Sequence, residues 1–308
     1  MQKLIIHEVG LRDGLQMEKQ VVPIDQKLKW IAALIDAGVD IIQVGSFVHP
    51  EKVPQMADTD KLFMMLKQNS PSDRKVVFSG LVLNERGLER GLKCGVELFC
   101  MGVSASETHS QKNTGMSIAG ATDRIIAMAK EAIAAGKKVQ VSVQSAFGCG
   151  FEGFVPQERV IGIVRRYLDA GLKNISLADT AGHGTPNTVE KLFEKIFKLD
   201  PSVEAACHFH NTYGMGLANS YAAMLVGVQN YESSIAGLGG CPFTKIAGGN
   251  LCTEDFVHML QNMNVRRDIN LDKLIGAAAN VAAFFSREMP GTIYKTRAIP
   301  TLKQSAND

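Results

Sequence analysis

The chain has no long block of one charge. Its 33 Lys and Arg and 31 Asp and Glu residues are interspersed and leave a formal net charge of +2, so neither a nucleic-acid surface nor a polybasic membrane patch is expected. No stretch reaches the roughly 18 continuous apolar residues of a membrane span. The opening MQKLIIHEVG has no basic n-region, long apolar core or small-residue cleavage site, and a cytoplasmic location is expected. Cys94, Cys100, Cys149, Cys207, Cys241 and Cys252 show no CxxC spacing, which predicts reduced, mostly buried thiols rather than a disulfide framework. A GxGxxG after the first strand, a GxxxxGK[ST] loop and a GxSxG elbow are all missing, which excludes the usual nucleotide and serine-hydrolase signatures. The expected partner is a small molecule, with no nucleic acid and no membrane.

What is present is a repeated helix, Ala-Gly, strand pattern. It occurs in DQKLKWIAALIDAGVDIIQVGS, ATDRIIAMAKEAIAAGKKVQVSVQS and QERVIGIVRRYLDAGLKNISLADT. In the third, Val160, Ile163, Val164 and Tyr167 keep the i, i+3, i+4, i+7 spacing of an amphipathic helix, and Gly171 stands where a helix end favours a left-handed residue. Extending the pattern predicts strands at 3–9, 40–45, 75–81, 96–103, 138–145, 174–178, 204–208 and 231–236. Helices are expected near 24–37, 51–68, 84–93, 118–135, 157–170, 187–198 and 215–226, and again after 253. Alternating β and α units require parallel strands with right-handed crossovers, and eight such units close a (β/α)8 TIM barrel. A doubly wound open sheet is the alternative. The 308 residues, 45% of them apolar, suit one large domain over 1–285, with 286–308 as a short C-terminal extension.

In such a barrel chemistry lies at the carboxyl ends of the strands, and the unusual polar residues fall there. GLRDGLQ follows strand 1 with Arg12, Asp13 and Gln16; strand 2 carries Gln43; LADT ends strand 6 with Asp179 and Thr180; CHFHNTYG ends strand 7. Side chains alternate along a strand, so His208 and His210 share one side. That spacing suits a metal or a catalytic pair, although two histidines at a rim can also be satisfied polar groups. Asp13 adds a carboxylate and Asn250 an amide oxygen, a mixed set that favours Mg²⁺ or Mn²⁺ and also accepts Zn²⁺ or Fe²⁺. A plain ion pair between Asp13 and Arg12 is the competing reading, weakened by the expectation that neighbours at a strand end diverge. The run AGLGGCPFTKIAGGN surrounds Cys241 with glycines. It reads as a loop able to bring a thiol over a ligand, or as a turn with an incidental cysteine.

GLRDGLQMEK, GSFVHPEKVPQMAD, ISLADTAGHGTP, HFHNTYGMGLAN and GLGGCPFTKIAGGNLCTED together resemble the 3-hydroxy-3-methylglutaryl-CoA lyase family of metal-dependent TIM-barrel lyases, over about residues 4–285. The resemblance implies a divalent-cation-dependent carbon–carbon lyase acting on a 3-hydroxyacyl-CoA. It implies Asp13, His208, His210 and Asn250 as metal ligands, with His208 also among the catalytic groups. It further implies Arg12 as stabiliser of a developing enolate, Cys241 in proton transfer and Asp179 near the substrate hydroxyl. Gln16, Gln43, Ser106 and Thr180 are the substrate-side candidates; Lys19 and Ser106 read equally well as a solvated lysine and a loop cap. A homodimer is implied by similarity alone.

One departure stands out. The family pattern has a glutamate on strand 2 where this chain has Gln43, and His49 stands where serine is common. Glutamine keeps reach but loses the charge and cannot act as a base. The expectation is therefore either an altered acyl-CoA substrate or an unchanged one with Gln43 only orienting a neighbour. A Claisen-type condensing enzyme of the same superfamily and a non-catalytic ligand-binding barrel are the other readings.

Overall fold

The computed structural model describes residues 3–69, 75–240 and 249–299. Eight parallel strands close into a barrel in sequence order. They are β1 (Ile5–Glu8), β2 (Ile41–Ser46), β3 (Val77–Leu81), β4 (Leu98–Ser104), β5 (Lys138–Gln144), β6 (Asn174–Asp179), β7 (Glu204–Phe209) and β8 (Asn230–Ser233). The outer helices are α1 (Ile24–Ala37), α2 (Thr59–Asn69), α3 (Glu85–Cys94), α4 (Glu107–Thr114), α5 (Ile118–Ala134), α6 (Gln157–Asp169), α7 (Pro186–Leu199), α8 (Gly216–Leu225), α9 (Thr253–Asn262), α10 (Leu271–Phe285) and α11 (Ile293–Thr296). This is the expected TIM barrel. No described helix is long and apolar enough to cross a membrane.

The helices bury the faces their periodicity predicts. In α1, Lys27, Trp30, Ile31 and Leu34 face inward, and the buried Lys27 ammonium is met by the Asp58 carboxylate at 2.6 Å and the Gln55 carbonyl at 2.8 Å, as a buried charge requires. Gly38 ends the helix at φ +92, a left-handed conformation glycine adopts without a Cβ clash.

Three expectations are corrected. The helix expected over 51–68 is a short 3-10 turn at Pro54–Met56 followed by α2, because proline lacks the N–H a continuous helix needs. The last strand ends at Ser233 rather than 236, since Ala236 turns to φ +58. A whole helix, α4, lies outside the expected ones: it has little apolar periodicity, and Ser106 starts it by accepting a hydrogen bond from the His109 N–H at 3.1 Å.

The barrel interior departs from the branched apolar layers usual in this architecture. His7, Gln43, Ser79, Gln140, Ser176, His208 and Glu232 are all buried. On β4, Gly102 pairs with Ser142 of β5, and a Cβ on Gly102 would lie 2.0 Å from Ser142 Oγ and 2.6 Å from its carbonyl oxygen. Gly102→Ala is therefore expected to destabilise the protein by about 1–3 kcal/mol through overpacking, read as a lowered denaturant midpoint with unchanged m-value.

Residues 286–299 lie against the barrel. Asp255 accepts from the Thr292 and Ile293 N–H groups at 2.8–3.0 Å, the Gly291 N–H donates to the Ala236 carbonyl at 3.2 Å, and Arg287 pairs with Glu18 at 2.5 Å.

Candidate metal centre and active site

Between β1 and α1 the chain makes one wide π-helical turn, Gly10–Gly14, with the Asp13 N–H donating to the Val9 carbonyl at 2.8 Å. This turn points Arg12 and Asp13 into the barrel mouth. It fits only because Gly10 and Gly14 carry no side chain: added Cβ atoms would sit 2.6 Å from Glu8 Oε1 and 2.7 Å from Leu238 Cβ. The expectation that Arg12 and Asp13 diverge is corrected. A helical turn, not a strand end, holds them, and Arg12 Nη1 donates to Asp13 Oδ1 while its Nε donates to Gln43 Oε1.

Across the mouth, His208 and His210 stand on one side of β7 as strand alternation requires. Their Nε2 atoms are 3.1 Å apart, and each lies 3.8 Å from Asp13 Oδ2. The two Asp13 oxygens thus divide their work: Oδ1 takes the guanidinium and Oδ2 faces the imidazoles. Asn250 arrives beside them because the chain returning from the glycine-rich loop pairs with His210, with the Asn211 N–H donating to the Gly249 carbonyl and the Leu251 N–H to the Phe209 carbonyl at 2.8–2.9 Å. Asn250 Nδ2 donates to Asp13 Oδ2 at 2.8 Å and to the Leu238 carbonyl at 3.0 Å.

Electrostatics tune this cluster. Burial opposes ionisation of Asp13, but Arg12 and the two imidazoles outweigh it and hold the carboxyl well below the usual range. Burial, then the neighbouring His208, lowers His210 to about 4 and keeps it neutral at pH 7. His208 Nδ1 meets Glu232 Oε2 at 3.0 Å, and Glu232 Oε1 accepts from Ser176 Oγ at 2.8 Å. A carboxylate on Nδ1 fixes that proton and leaves the Nε2 lone pair for a ligand, the outer partner that metal-binding histidines usually have. Two imidazole nitrogens and a carboxylate oxygen lie within 4.8 Å of one another; burial opposes the charge on His208, but Glu232 and Asp13 outweigh it and raise its pKa in the absence of a ligand. Asn250 Oδ1 and His210 Nδ1 are buried with no partner among the described residues. A buried acceptor without a donor is costly, and with this donor chemistry the set fits a divalent cation.

The cluster opens onto a cavity of about 230 Å³ lined by Arg12, Asp13, Gln16, Gln43, Thr180, His208 and His210 among others. The structure does not bring Asp179 to it. Ala178 and Thr180 face the cavity, so alternation turns Asp179 outward, where its carboxylate accepts from the His183 and Gly184 N–H groups at 2.9 and 2.8 Å and closes a turn. Burial raises its pKa to about 6 despite those donors. Ser106 is also turned away, its hydroxyl capping α4 and accepting from the Cys149 thiol at 3.1 Å. Lys19 and His49 are exposed. Cys241 lies outside the described residues; Gly240, which precedes it, lines the cavity. Glu232 was missed from sequence, although as the register partner of His208 it was findable once β7 and β8 were paired.

Comparison with known proteins extends this geometry. Residues 3–281 match the family described as HMGL-like. The chain belongs to that family. It is a carbon–carbon lyase of the hydroxymethylglutaryl-CoA lyase kind. The lyase is 34% identical over 288 residues to the hydroxymethylglutaryl-CoA lyase YngG of Bacillus subtilis, covering 94% of this chain and 95% of that one. It is 35% identical over 285 residues to the 3-hydroxy-3-isohexenylglutaryl-CoA/hydroxy-methylglutaryl-CoA lyase of Pseudomonas aeruginosa, covering 92% and 94%. Among solved structures, an HMG-CoA lyase from Acinetobacter baumannii in complex with coenzyme A and 3-methylmalate superposes with a TM-score of 0.90 at 33% identity, covering 97% of each chain.

Proposed function

We propose that the lyase cleaves 3-hydroxy-3-methylglutaryl-CoA, or a 3-hydroxyacyl-CoA close to it, between C2 and C3, with a divalent cation, Mg²⁺ or Mn²⁺ before Zn²⁺ or Fe²⁺, held by Asp13, His208, His210 and Asn250. The observation that carries this reading is the convergence of Asp13 Oδ2 with the two Nε2 atoms. Related lyases of this size act on such thioesters, and one was solved with coenzyme A. A cation at this position supplies the positive charge that favours loss of the substrate hydroxyl proton.

The remaining work falls to this chain's own residues. As the hydroxyl proton passes to water in the cavity mouth and the C2–C3 bond breaks, the hydroxyl oxygen becomes the C3 carbonyl and the bonding pair passes into the thioester, whose oxygen becomes negative. Arg12, held on one side by Asp13 and on the other by Gln43, meets that oxygen with a guanidinium already in place, so little reorganisation is needed. A proton then returns to C2, a step we assign to Cys241. Glu232 holds His208 in the required tautomer, and Gln16 and Thr180 line the approach. Asp179 acts from outside the cavity, through the turn it closes.

Gln43 accepts from Arg12 and so orients the guanidinium without competing as a second carboxylate. Gln43→Glu is expected to hold Arg12 more tightly and to change the ratio of kcat/KM between 3-hydroxy-3-methylglutaryl-CoA and longer 3-hydroxyacyl-CoAs by about tenfold. An unchanged ratio assigns Gln43 to positioning alone. Glu232→Gln is expected to weaken Mn²⁺ binding by about 10–100-fold, measured by equilibrium dialysis, with the fold intact by circular dichroism.

The reading is tested by incubating the Mn²⁺-loaded protein with 3-hydroxy-3-methylglutaryl-CoA and related 3-hydroxyacyl-CoAs, with EDTA in parallel. Release of acetyl-CoA or another acyl-CoA with a keto-acid product, lost in EDTA, is expected. No cleavage of any of them overturns it, and free thiol appearing with acetyl-CoA and a 2-oxoacid assigns the condensing activity instead.

A further inference from the structure

The cavity has two chemically different walls. Its charged lining groups, Arg12, Asp13 and Glu232, together with the paired imidazoles, follow or belong to β1, β7 and β8. In a closed order of eight strands β5 stands opposite β1. There the sequence KVQVSVQ alternates, and Gln140, Ser142 and Gln144 all line the cavity, with Leu81 and Cys100 beside them and no charged side chain among them. The Cys100 thiol points at Gln140 Oε1 at 3.7 Å. Among the described residues, neither the Gln140 amide nitrogen nor the Gln144 side chain has a hydrogen-bond partner. Gly102 keeps this wall thin: a Cβ there would collide with Ser142.

The wall is therefore neutral and rich in hydrogen-bonding capacity, of which only the Gln140 oxygen is engaged by a protein group among the described residues. On the reading proposed above, the tertiary carbon of the substrate carries a hydroxyl and a carboxylate arm, which suit the charged wall, and a thioester arm, which leaves by the mouth because coenzyme A far exceeds the cavity. The fourth substituent is left facing β5. A cavity of about 230 Å³, set against the about 150 Å³ that takes a six-atom benzene, accommodates a substrate head of roughly nine or ten non-hydrogen atoms, the size of a 3-hydroxy-3-methylglutaryl group. An apolar methyl offers no hydrogen-bond partner to the Gln140 and Gln144 amides that line the cavity. A methyl also gains nothing from a polar wall, whereas a site built to hydrogen-bond a substrate group rejects analogues that lack it.

We propose that Gln140, Ser142 and Gln144 form a specificity subsite for the substituent on the tertiary carbon, selecting an uncharged, hydrogen-bonding group over methyl. This inference rests on the lyase reading and is tested so that the two fail separately. The Mn²⁺-loaded protein is assayed with 3-hydroxy-3-methylglutaryl-CoA and 3-hydroxy-3-(2-hydroxyethyl)glutaryl-CoA. Binding of the two corresponding free diacids is measured by calorimetry.

The expected result is a kcat/KM and a diacid affinity each about tenfold or more in favour of the hydroxyethyl compound. In Gln140→Leu and Gln144→Leu that preference collapses to near unity or reverses, whereas loss of folding alone lowers both substrates together. Wild-type preference for the methyl compounds, or a preference that neither variant moves, overturns the subsite while leaving the lyase. If neither thioester is cleaved but the hydroxyethyl diacid binds more tightly, the lyase reading fails and the subsite stands.

Discussion

Asp13→Ala is expected to lower kcat/KM by about 1,000-fold or more, about 4 kcal/mol of transition-state stabilisation, and to abolish stoichiometric Mn²⁺ binding. Asp13 supplies the sole carboxylate of the three-donor cluster, and its Oδ2 faces both imidazoles and the Asn250 amide. Without it two imidazoles and an amide remain, and no formal negative charge among them offsets a dication. The same change releases one of the two groups that hold Arg12, so charge stabilisation at the substrate falls along with metal affinity. Asp13→Asn separates the two effects. It preserves the shape and a hydrogen-bonding oxygen while removing the charge, and is expected to lose metal binding nearly as completely. Steady-state kinetics and equilibrium dialysis measure both quantities, and an unchanged far-ultraviolet spectrum shows that the barrel persists.

Arg12→Gln is expected to lower kcat by about 100- to 1,000-fold, the usual cost of removing a donor aimed at a developing oxyanion, with KM changed by much less. The guanidinium's charge matters most when the thioester oxygen becomes negative, so its loss falls on the transition state more than on the bound substrate. Mn²⁺ affinity is expected to stay within about tenfold of wild type, since Arg12 occupies Oδ1 and not the Oδ2 that faces the histidines. Arg12→Lys keeps the charge but cannot engage Asp13 and Gln43 together in the planar geometry of the guanidinium; an intermediate kcat is expected. A large rise in KM with kcat unchanged would instead make Arg12 a binding group.

The barrel was legible because its helices repeat one pattern: an apolar stripe at i, i+3, i+4 and i+7, a Gly at the end, then a β-rich run. Asp13, His208 and His210 were legible because polar residues at the ends of otherwise apolar strands stand out. What escaped depended on pairing and alternation. Glu232 sits in NYES, a run with no motif, and matters only because register sets it beside His208. Asp179 looked functional by position, yet a strand that turns Ala178 inward must turn Asp179 outward. The ion pair between Arg12 and Asp13 was discounted on strand geometry, and the chain forms a π-helical turn there instead. The inward ladder of β5 was readable in the strict alternation of KVQVSVQ, because in a barrel ringed by helices the apolar alternates face the helices and leave the polar ones to the interior.

The account turns on a cation held between β1 and β7. A crystal grown with Mn²⁺ and recorded for anomalous scattering tests it most directly. The account predicts one strong peak about 2.0–2.3 Å from Asp13 Oδ2, His208 Nε2 and His210 Nε2, with the Asn250 side-chain oxygen turned towards it. A peak elsewhere, or none while His208 and His210 stay 3.1 Å apart as a hydrogen-bonded pair, would contradict it.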